Sequence, residues 1–496
     1  MFYVSTRGLK ERFSFSQAVV KGLAPDGGLF VPEEDVVFSK NELESLVNMN
    51  YYDLATEIIM KYAADFTREE ISECVSGAYK GEKFPEGEPV KMTGLNPRLS
   101  VLELYHGPTC AFKDMALQLL PRIMVKAAKK CGETREIVIL TATSGDTGKA
   151  ALEGFRDVEG IKVMVFFPSE GVSRVQKMQM VTQKGNNVKV VAINGNFDDA
   201  QTGVKKIFSD KAFADRLSEK GVMLSSANSI NWGRLLPQIV YYFYAYASLV
   251  RSGRIIMGEP VDFTVPTGNF GDILACYYAK KAGLPVGRII CASNINNVVA
   301  EFINTGVYLK DRKFITTSSP AMDILVSSNL ERLLYHAAGR DGGYVAGLMS
   351  ELSGRGHYSV SDGVLKNIQA DFDSGFASEE ETLDTVNYIY NKYNYLIDPH
   401  TAVGFKVRKT VHGSGNHNVC VSTASPFKFN MSVAGSIFGE KQLEGLTEFQ
   451  VLDVLSEKTG IKVPGPLKDL DKCEIRFKEI INPCDMMSKV EEFINE

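Results

Sequence analysis

The sequence predicts an α/β protein with parallel sheets in two or three lobes, and three observations lead to that reading. At 496 residues the chain exceeds what one hydrophobic core organises, so two or three packed lobes follow. Past Pro89, short apolar runs suited to strands buried on both faces alternate with Gly-rich turns and helical patterns. Several of those turns open directly into a helix, as the right-handed crossovers of a parallel sheet require.

The elements follow in chain order. Residues 22–34, GLAPDGGLFVPEE, form a turn region, and 43–62 carry a helical period, so 1–90 reads as an N-terminal helical segment. The α/β core begins at 91 and runs to 307. Its strand candidates are 137–140, 163–167, 188–193, 263–265 and 289–292, with helical patterns at 147–156, 199–208 and 272–282. The stretch 308–394 is polar, helical in pattern and poor in buried strands, and reads as an insertion. The chain returns to the core over 395–435, with a strand at 419–422. The final 436–496, rich in Lys and Glu and punctuated by Pro464, Gly465 and Pro466, reads as a C-terminal appendage.

Composition narrows the function classes. The chain is 44% hydrophobic and 23% charged, typical of a globular protein with a large core. Its net charge is −5 and it has no block of five basic residues, which argues against a nucleic-acid partner and for a small molecule. The eight cysteines never form C-x-x-C, so neither a zinc site nor a disulfide framework is signalled, and a reducing compartment fits. No apolar stretch of about 18 residues appears and the first residues lack a signal-peptide core, so a cytoplasmic location with no membrane contact is expected.

Four segments can carry chemistry. In His106-Gly-Pro-Thr-Cys-Ala-Phe-Lys113-Asp114, a lysine sits among apolar neighbours at a helix start. Burial lowers a lysine's proton affinity and frees the neutral amine to attack an aldehyde; a solvated surface lysine is the alternative. In Thr141-Ala-Thr143-Ser144-Gly145-Asp146-Thr147-Gly-Lys149, small hydroxyl residues and glycines follow a strand and open a helix, a natural anion seat. A helix start capped by Ser144 or Asp146 is the alternative, and Ala150 after the lysine departs from the nucleotide-binding phosphate loop. Pro266-Thr-Gly268-Asn269-Phe270-Gly271-Asp272 is again strand, glycine turn and helix, able to curl N–H groups around one phosphate or simply to connect two elements. Val421-Ser-Thr423-Ala-Ser-Pro-Phe-Lys428 ends a late strand, where a neutral hydroxyl suits a pyridine nitrogen; an ordinary strand terminus is the alternative.

Together, and in this order, these segments resemble threonine synthase of the longer bacterial and fungal type. That family belongs to the fold type II pyridoxal-phosphate enzymes with the tryptophan synthase β-subunit, which implies parallel sheets in two lobes. Residues 5–8, 24–29, 196–200, 229–234 and 398–402 match the same family, so the resemblance spans Met1 to about Phe429. It is looser beyond and within the 308–394 insertion, although 319–323 through 328–329 also resemble the family.

The resemblance implies pyridoxal 5'-phosphate held by Lys113 as a Schiff base. Gly268, Asn269, Phe270 and Gly271 would cradle the cofactor phosphate, with Asp272 closing the turn and Thr423 at the pyridine nitrogen. Thr143, Ser144, Asp146 and Thr147 would bind the substrate's carboxylate or phosphate, and Arg174, Asn231 and Arg234 its phosphate; no metal is implied. The implied reaction is O-phospho-L-homoserine plus water to L-threonine plus phosphate, the last step of threonine biosynthesis, in a monomer or homodimer. A related dehydratase and a silent pyridoxal-phosphate-binding sensor are the rival readings.

Overall fold

The computed structural model describes residues 1–496 except 82, 85, 86, 144, 412 and 413. Strands are numbered along the chain. Among the described residues, 1–90 carry four helices, Phe15–Lys21, Lys40–Leu46, Tyr51–Tyr62 and Arg68–Tyr79, and β1 (Tyr3–Ser5) and β2 (Phe30–Pro32) pair antiparallel among them. The helical period over 43–62 resolves into two helices, Lys40–Leu46 and Tyr51–Tyr62. Asn50 makes the break: its side chain accepts from the N–H groups of Tyr52 and Asp53, both at 3.0 Å, and so starts a new helix.

Two sheets follow. The chain first lays down β3 (Lys91–Asn96) and β4 (Leu99–Glu103), then crosses to β5 (Glu136–Ala142), β6 (Ile161–Pro168), β7 (Val188–Ile193) and β8 (Val222–Ser225). It returns through the long helix Trp232–Arg251 to β9 (Val261–Pro266) and β10 (Val286–Ser293). After a short antiparallel pair, β11 (Val307–Leu309) and β12 (His357–Ser359), come β13 (Phe372–Phe376), β14 (His417–Ser422) and, near the end, β15 (Ile480–Ile481). One sheet has the order β13-β10-β9-β14-β4-β3, parallel except for the β3–β4 pair. The other is wholly parallel, β15-β7-β6-β5-β8. Strands such as β9 are buried at every position, which is why they read as continuous apolar runs without alternation.

Two stretches differ from their sequence reading. The segment 308–394, taken as lying outside the sheets, supplies β13 as an edge strand, with Phe372 opposite Ile289 of β10. Its half-exposed sequence, FDSGF, carries no apolar run. The segment 436–496 is likewise more than appended. β15 pairs with β7, and Met486, Val490 and Phe493 of the last helix join the apolar cluster formed with Val204 and Ile207. The helix Trp232–Arg251 is buried on most of its surface, with Trp232, Tyr241 and Tyr242 fully covered, and Tyr241 and Tyr242 brace the turn that follows β9.

Candidate active site

A cavity of about 860 Å³ lies where the C-terminal ends of β5, β6, β9 and β14 meet, the place where parallel α/β sheets collect ligands. Lys113 projects into it from the start of the helix Lys113–Leu117 and is only 8% exposed. The loop carrying it is stitched to the end of β14: the Phe112 N–H donates to the Thr423 carbonyl at 2.7 Å, and the Ser425 N–H to the Cys110 carbonyl at 3.1 Å. Lys113 and Thr423 thereby line the same cavity, and among the described residues the Thr423 hydroxyl has no protein partner. Burial pushes the Lys113 amine below the usual lysine range, against the opposing pull of Asp146, whose Oδ2 lies 3.6 Å from Nζ.

The turn after β9 is built to present backbone donors. Phe270 adopts φ +62°, the left-handed region, immediately before the helix Gly271–Lys281. Among the described residues, the N–H groups of Gly268, Asn269, Phe270 and Gly271 find no acceptor in the protein. Their carbonyls are tied down instead: Ser327 Oγ donates to Gly268 O at 2.8 Å, and Asn329 Nδ2 to Asn269 O at 2.9 Å. Asn329 is in turn gripped by the fully buried Arg332 at 2.5 Å. Asp272, next in the turn, accepts from Tyr241 at 2.5 Å and Tyr242 at 2.7 Å on one oxygen, while the other is buried without a partner. Burial raises its carboxyl to about 6 in spite of those donors. Four free N–H groups at a helix N-terminus, a buried lysine and an uncommitted hydroxyl together fit a phosphorylated pyridine aldehyde.

The turn after β5 is organised differently from its sequence reading. Thr143 Oγ1 accepts from the N–H groups of Gly145 at 3.0 Å and Gly148 at 2.9 Å, so this hydroxyl holds the start of the helix Asp146–Gly154, where the sequence offers Asp146 as one possible cap. Ser144 lies outside the described residues. Asp146 is buried in an ion pair with Lys428 at 2.6 Å and also accepts from Gln176 Nε2 at 2.8 Å. Burial alone would raise its carboxyl, but Lys428 and Lys113 hold it well below the usual carboxylate range.

Most of the residues singled out from the sequence therefore line one cavity: Lys113, Gly268, Asn269, Phe270, Gly271, Asp272, Thr423, Thr143, Asp146, Thr147 and Arg234. Arg234 is buried, donates to Ala227 O at 2.8 Å and is pushed down to about 10 by desolvation. Two do not line it. Arg174 has its guanidinium over the Phe449 ring, while its own N–H donates to Glu448. Asn231 is fully buried, donates to Val19 O and caps the Trp232 helix through the Gly233 N–H, both at 2.9 Å, so its amide is spent on the backbone.

Three contributors escaped the sequence reading: Lys428, Gln176 and His400. Lys428 lies between Phe427 and Phe429, the same apolar flanking that marked Lys113. His400 lines the cavity, and its Nε2 accepts from the Ala321 N–H at 3.2 Å, which puts the ring proton on Nδ1, 2.8 Å from Asp398.

A buried lysine facing a phosphate-type turn across the ends of two parallel sheets defines a pyridoxal-phosphate site, and comparison with known proteins agrees. Residues 2–79 match the family model described as threonine synthase N terminus, and 90–422 match that of pyridoxal-phosphate dependent enzymes. The threonine synthase of Pseudomonas aeruginosa is 41% identical over 445 residues, covering 89% of this chain and 91% of the relative. Human threonine synthase-like 1 is 43% identical over 425 residues, 84% of this chain, and the chain spans 57% of that longer relative. A PLP-bound threonine synthase structure from Brucella melitensis superposes with a TM-score of 0.88 at 37% identity, covering 99% of both chains. The chain belongs to the pyridoxal-phosphate-dependent enzymes and, within them, to the threonine synthase family. Its cofactor is pyridoxal 5'-phosphate.

Proposed function

We propose that the protein converts O-phospho-L-homoserine and water into L-threonine and inorganic phosphate, the last step of threonine biosynthesis. The observation that carries this reading is one buried lysine facing an acceptor-free glycine turn in a cavity large enough for cofactor and substrate together. When bound, the cofactor supplies an electron sink that stabilises negative charge on the substrate carbon next to its amino group.

The chain's own groups do the rest. Lys113, desolvated and so available as a neutral amine, takes the proton from Cα and returns it at the end of the cycle. The same mobile amine serves the proton transfers at Cβ and Cγ, where the phosphate leaves Cγ and the hydroxyl of water is added at Cβ. The N–H groups of residues 268–271 and the positive end of their helix hold the cofactor phosphate. Asp272 braces that helix start through Tyr241 and Tyr242, and Thr423 would offer its hydroxyl to the pyridine nitrogen. For the substrate's anionic groups we assign Arg234, Thr147 and the remaining donors of the 143–147 turn, Ser144 included; Asp146 and Thr143 organise that turn. Eight free cysteines suit a reducing compartment, which we take to be the cytoplasm.

The test is to incubate the purified, cofactor-loaded protein with O-phospho-L-homoserine and quantify phosphate and L-threonine together. Equal yields are expected, and Lys113→Ala should give neither while keeping the wild-type circular dichroism. Phosphate without threonine, or no phosphate at all, would overturn the assignment.

A further inference from the structure

Lys428 belongs to no step above, yet its position calls for one. It follows β14 in the short turn Pro426–Phe429 and is fully buried. Its ammonium donates to Thr109 O at 2.9 Å and pairs with Asp146 Oδ1 at 2.6 Å. The other oxygen of Asp146 is 3.6 Å from Lys113 Nζ. One carboxylate thus lies between two lysines, one from the end of the six-stranded sheet and one from the cofactor loop. Asp146 itself sits at the head of the helix after β5, in the other sheet.

A carboxylate buried this deeply needs a counter-ion. Were Lys113 the sole cation within reach, it would be bound to stay protonated, and a protonated lysine can neither attack an aldehyde nor accept a proton. With Lys428 in place, Asp146 is satisfied whatever the charge on Lys113. Gln176 supplies a further donor to Oδ1, leaving Oδ2 toward the reacting lysine.

We propose that Lys428 is a positioning residue for the reaction: by holding the Asp146 carboxylate in an ion pair of its own, it releases Lys113 from that duty and sets how readily the reactive nitrogen gives up its proton. The proposal rests on the role assigned to Lys113. The other groups whose charges bear on this cluster are Arg234 and Asp272, which act on Lys113, and Asp114 and Cys110, which face Lys428. Substitution at 428 leaves the charges of Arg234 and Asp272 in place, but it removes a charge that draws the Asp114 carboxyl and the Cys110 thiol down, so both of those groups shift upward with it.

The experiment is a pH titration of the cofactor's visible absorbance in the intact holoenzyme, a readout independent of turnover. In Lys428→Met the unneutralised carboxylate favours the protonated nitrogen, so the midpoint should rise by about one pH unit or more. Lys428→Arg, which keeps the cation, should bring it back to within about 0.3 unit of wild type. A midpoint in folded Lys428→Met that is unchanged or lower overturns the proposal. If Lys428→Met does not fold, Asp146→Asn, which leaves Lys428 without its counter-charge, should lower the midpoint, and D146N/K428M, which removes the pair together, should bring it back toward wild type; a double variant shifted as far as Asp146→Asn alone overturns the proposal. Failure of the wild-type protein to develop any visible band with pyridoxal phosphate would overturn the Lys113 assignment, and the proposal with it. That outcome is distinguishable from a band that titrates but does not shift.

Discussion

Gly268→Ala tests the phosphate cradle through a clash that the structure specifies. A Cβ at this position would lie 2.5 Å from the carbonyl oxygen of Ala321 and 3.4 Å from Met322 Cα, both backbone atoms. Reaching an ordinary contact with that oxygen needs a displacement of about 0.9 Å. Neither side moves freely. The Ala321 N–H is held by His400, the Met322 N–H by Ser319 O at 3.0 Å, and the Gly268 carbonyl by Ser327. Forcing one extra carbon into such packing costs about 1–3 kcal/mol. If the turn yields, the cofactor dissociation constant should rise about 5- to 150-fold, since each 1.4 kcal/mol is tenfold. If the 320–322 segment yields, the cost should appear as a lower thermal midpoint. The assay is an absorbance titration of the cofactor-stripped protein with pyridoxal phosphate, paired with thermal unfolding. Gly271→Ala is the control, because its nearest neighbours, Asn329 Nδ2 and Ser229 Cβ, stand 3.6 Å away; its stability should match wild type. A Gly268→Ala protein with both affinity and melting unchanged would refute the close packing on which this reasoning rests.

Other perturbations follow from the same network. Arg332→Met leaves Phe30 O, Ile230 O and Asn329 Oδ1 without their donor, which should cost about 3 kcal/mol or more by denaturant unfolding and weaken cofactor binding through Asn329. Asp114, buried beside Thr109, has its carboxyl pushed up to about 7 by desolvation against two hydrogen bonds from Thr109. The folded state therefore holds that proton more tightly than the unfolded chain. Its contribution to stability is full below about pH 4 and is lost as pH rises toward 7, with a slope of up to about 1.4 kcal/mol per pH unit. Asp114→Asn should flatten that part of a denaturation-versus-pH series, and an unchanged slope would count against it. Asn231→Ala should destabilise the Trp232 helix by about 1 kcal/mol, seen as a lower denaturant midpoint, with little change in the Michaelis constant for the phosphorylated substrate, because its amide is occupied by backbone.

What the sequence disclosed and what it hid divide along one physical line. β5, β6, β7, β9, β10 and β14 were legible because strands buried on both faces must be continuously apolar. β4 was not, since its Ser100 and Glu103 break the run. Both are buried and satisfied by groups far along the chain, Ser100 by His417 at 2.9 Å and Glu103 by Tyr395 at 2.7 Å. The two-residue β15 and the half-exposed β13 offer no pattern at all. At the site, the singled-out residues that line the cavity include some that local geometry leaves unsatisfied, a glycine turn with spare N–H groups, a hydroxyl at a strand end and a lysine among apolar neighbours, beside others already bonded within the fold, such as Thr143, Asp146 and Arg234. The over-read residues, Arg174 and Asn231, have the right chemistry but have spent it elsewhere, on an aromatic face and on backbone. Of the three contributors missed, Lys428 acts by pairing across 282 positions (146 to 428), and its apolar flanks, Phe427 and Phe429, mark it as buried without naming its partner. Asp146 carries both lessons: as a motif residue it pointed to an anion seat, yet it is itself the anion there, already held by a lysine from the opposite sheet. A polar motif residue is therefore evidence for a ligand only after its bonds within the fold have been subtracted, and in this cavity that subtraction leaves the 268–271 N–H groups, Thr423, Lys113, Thr147 and the part of Arg234 not bonded to Ala227.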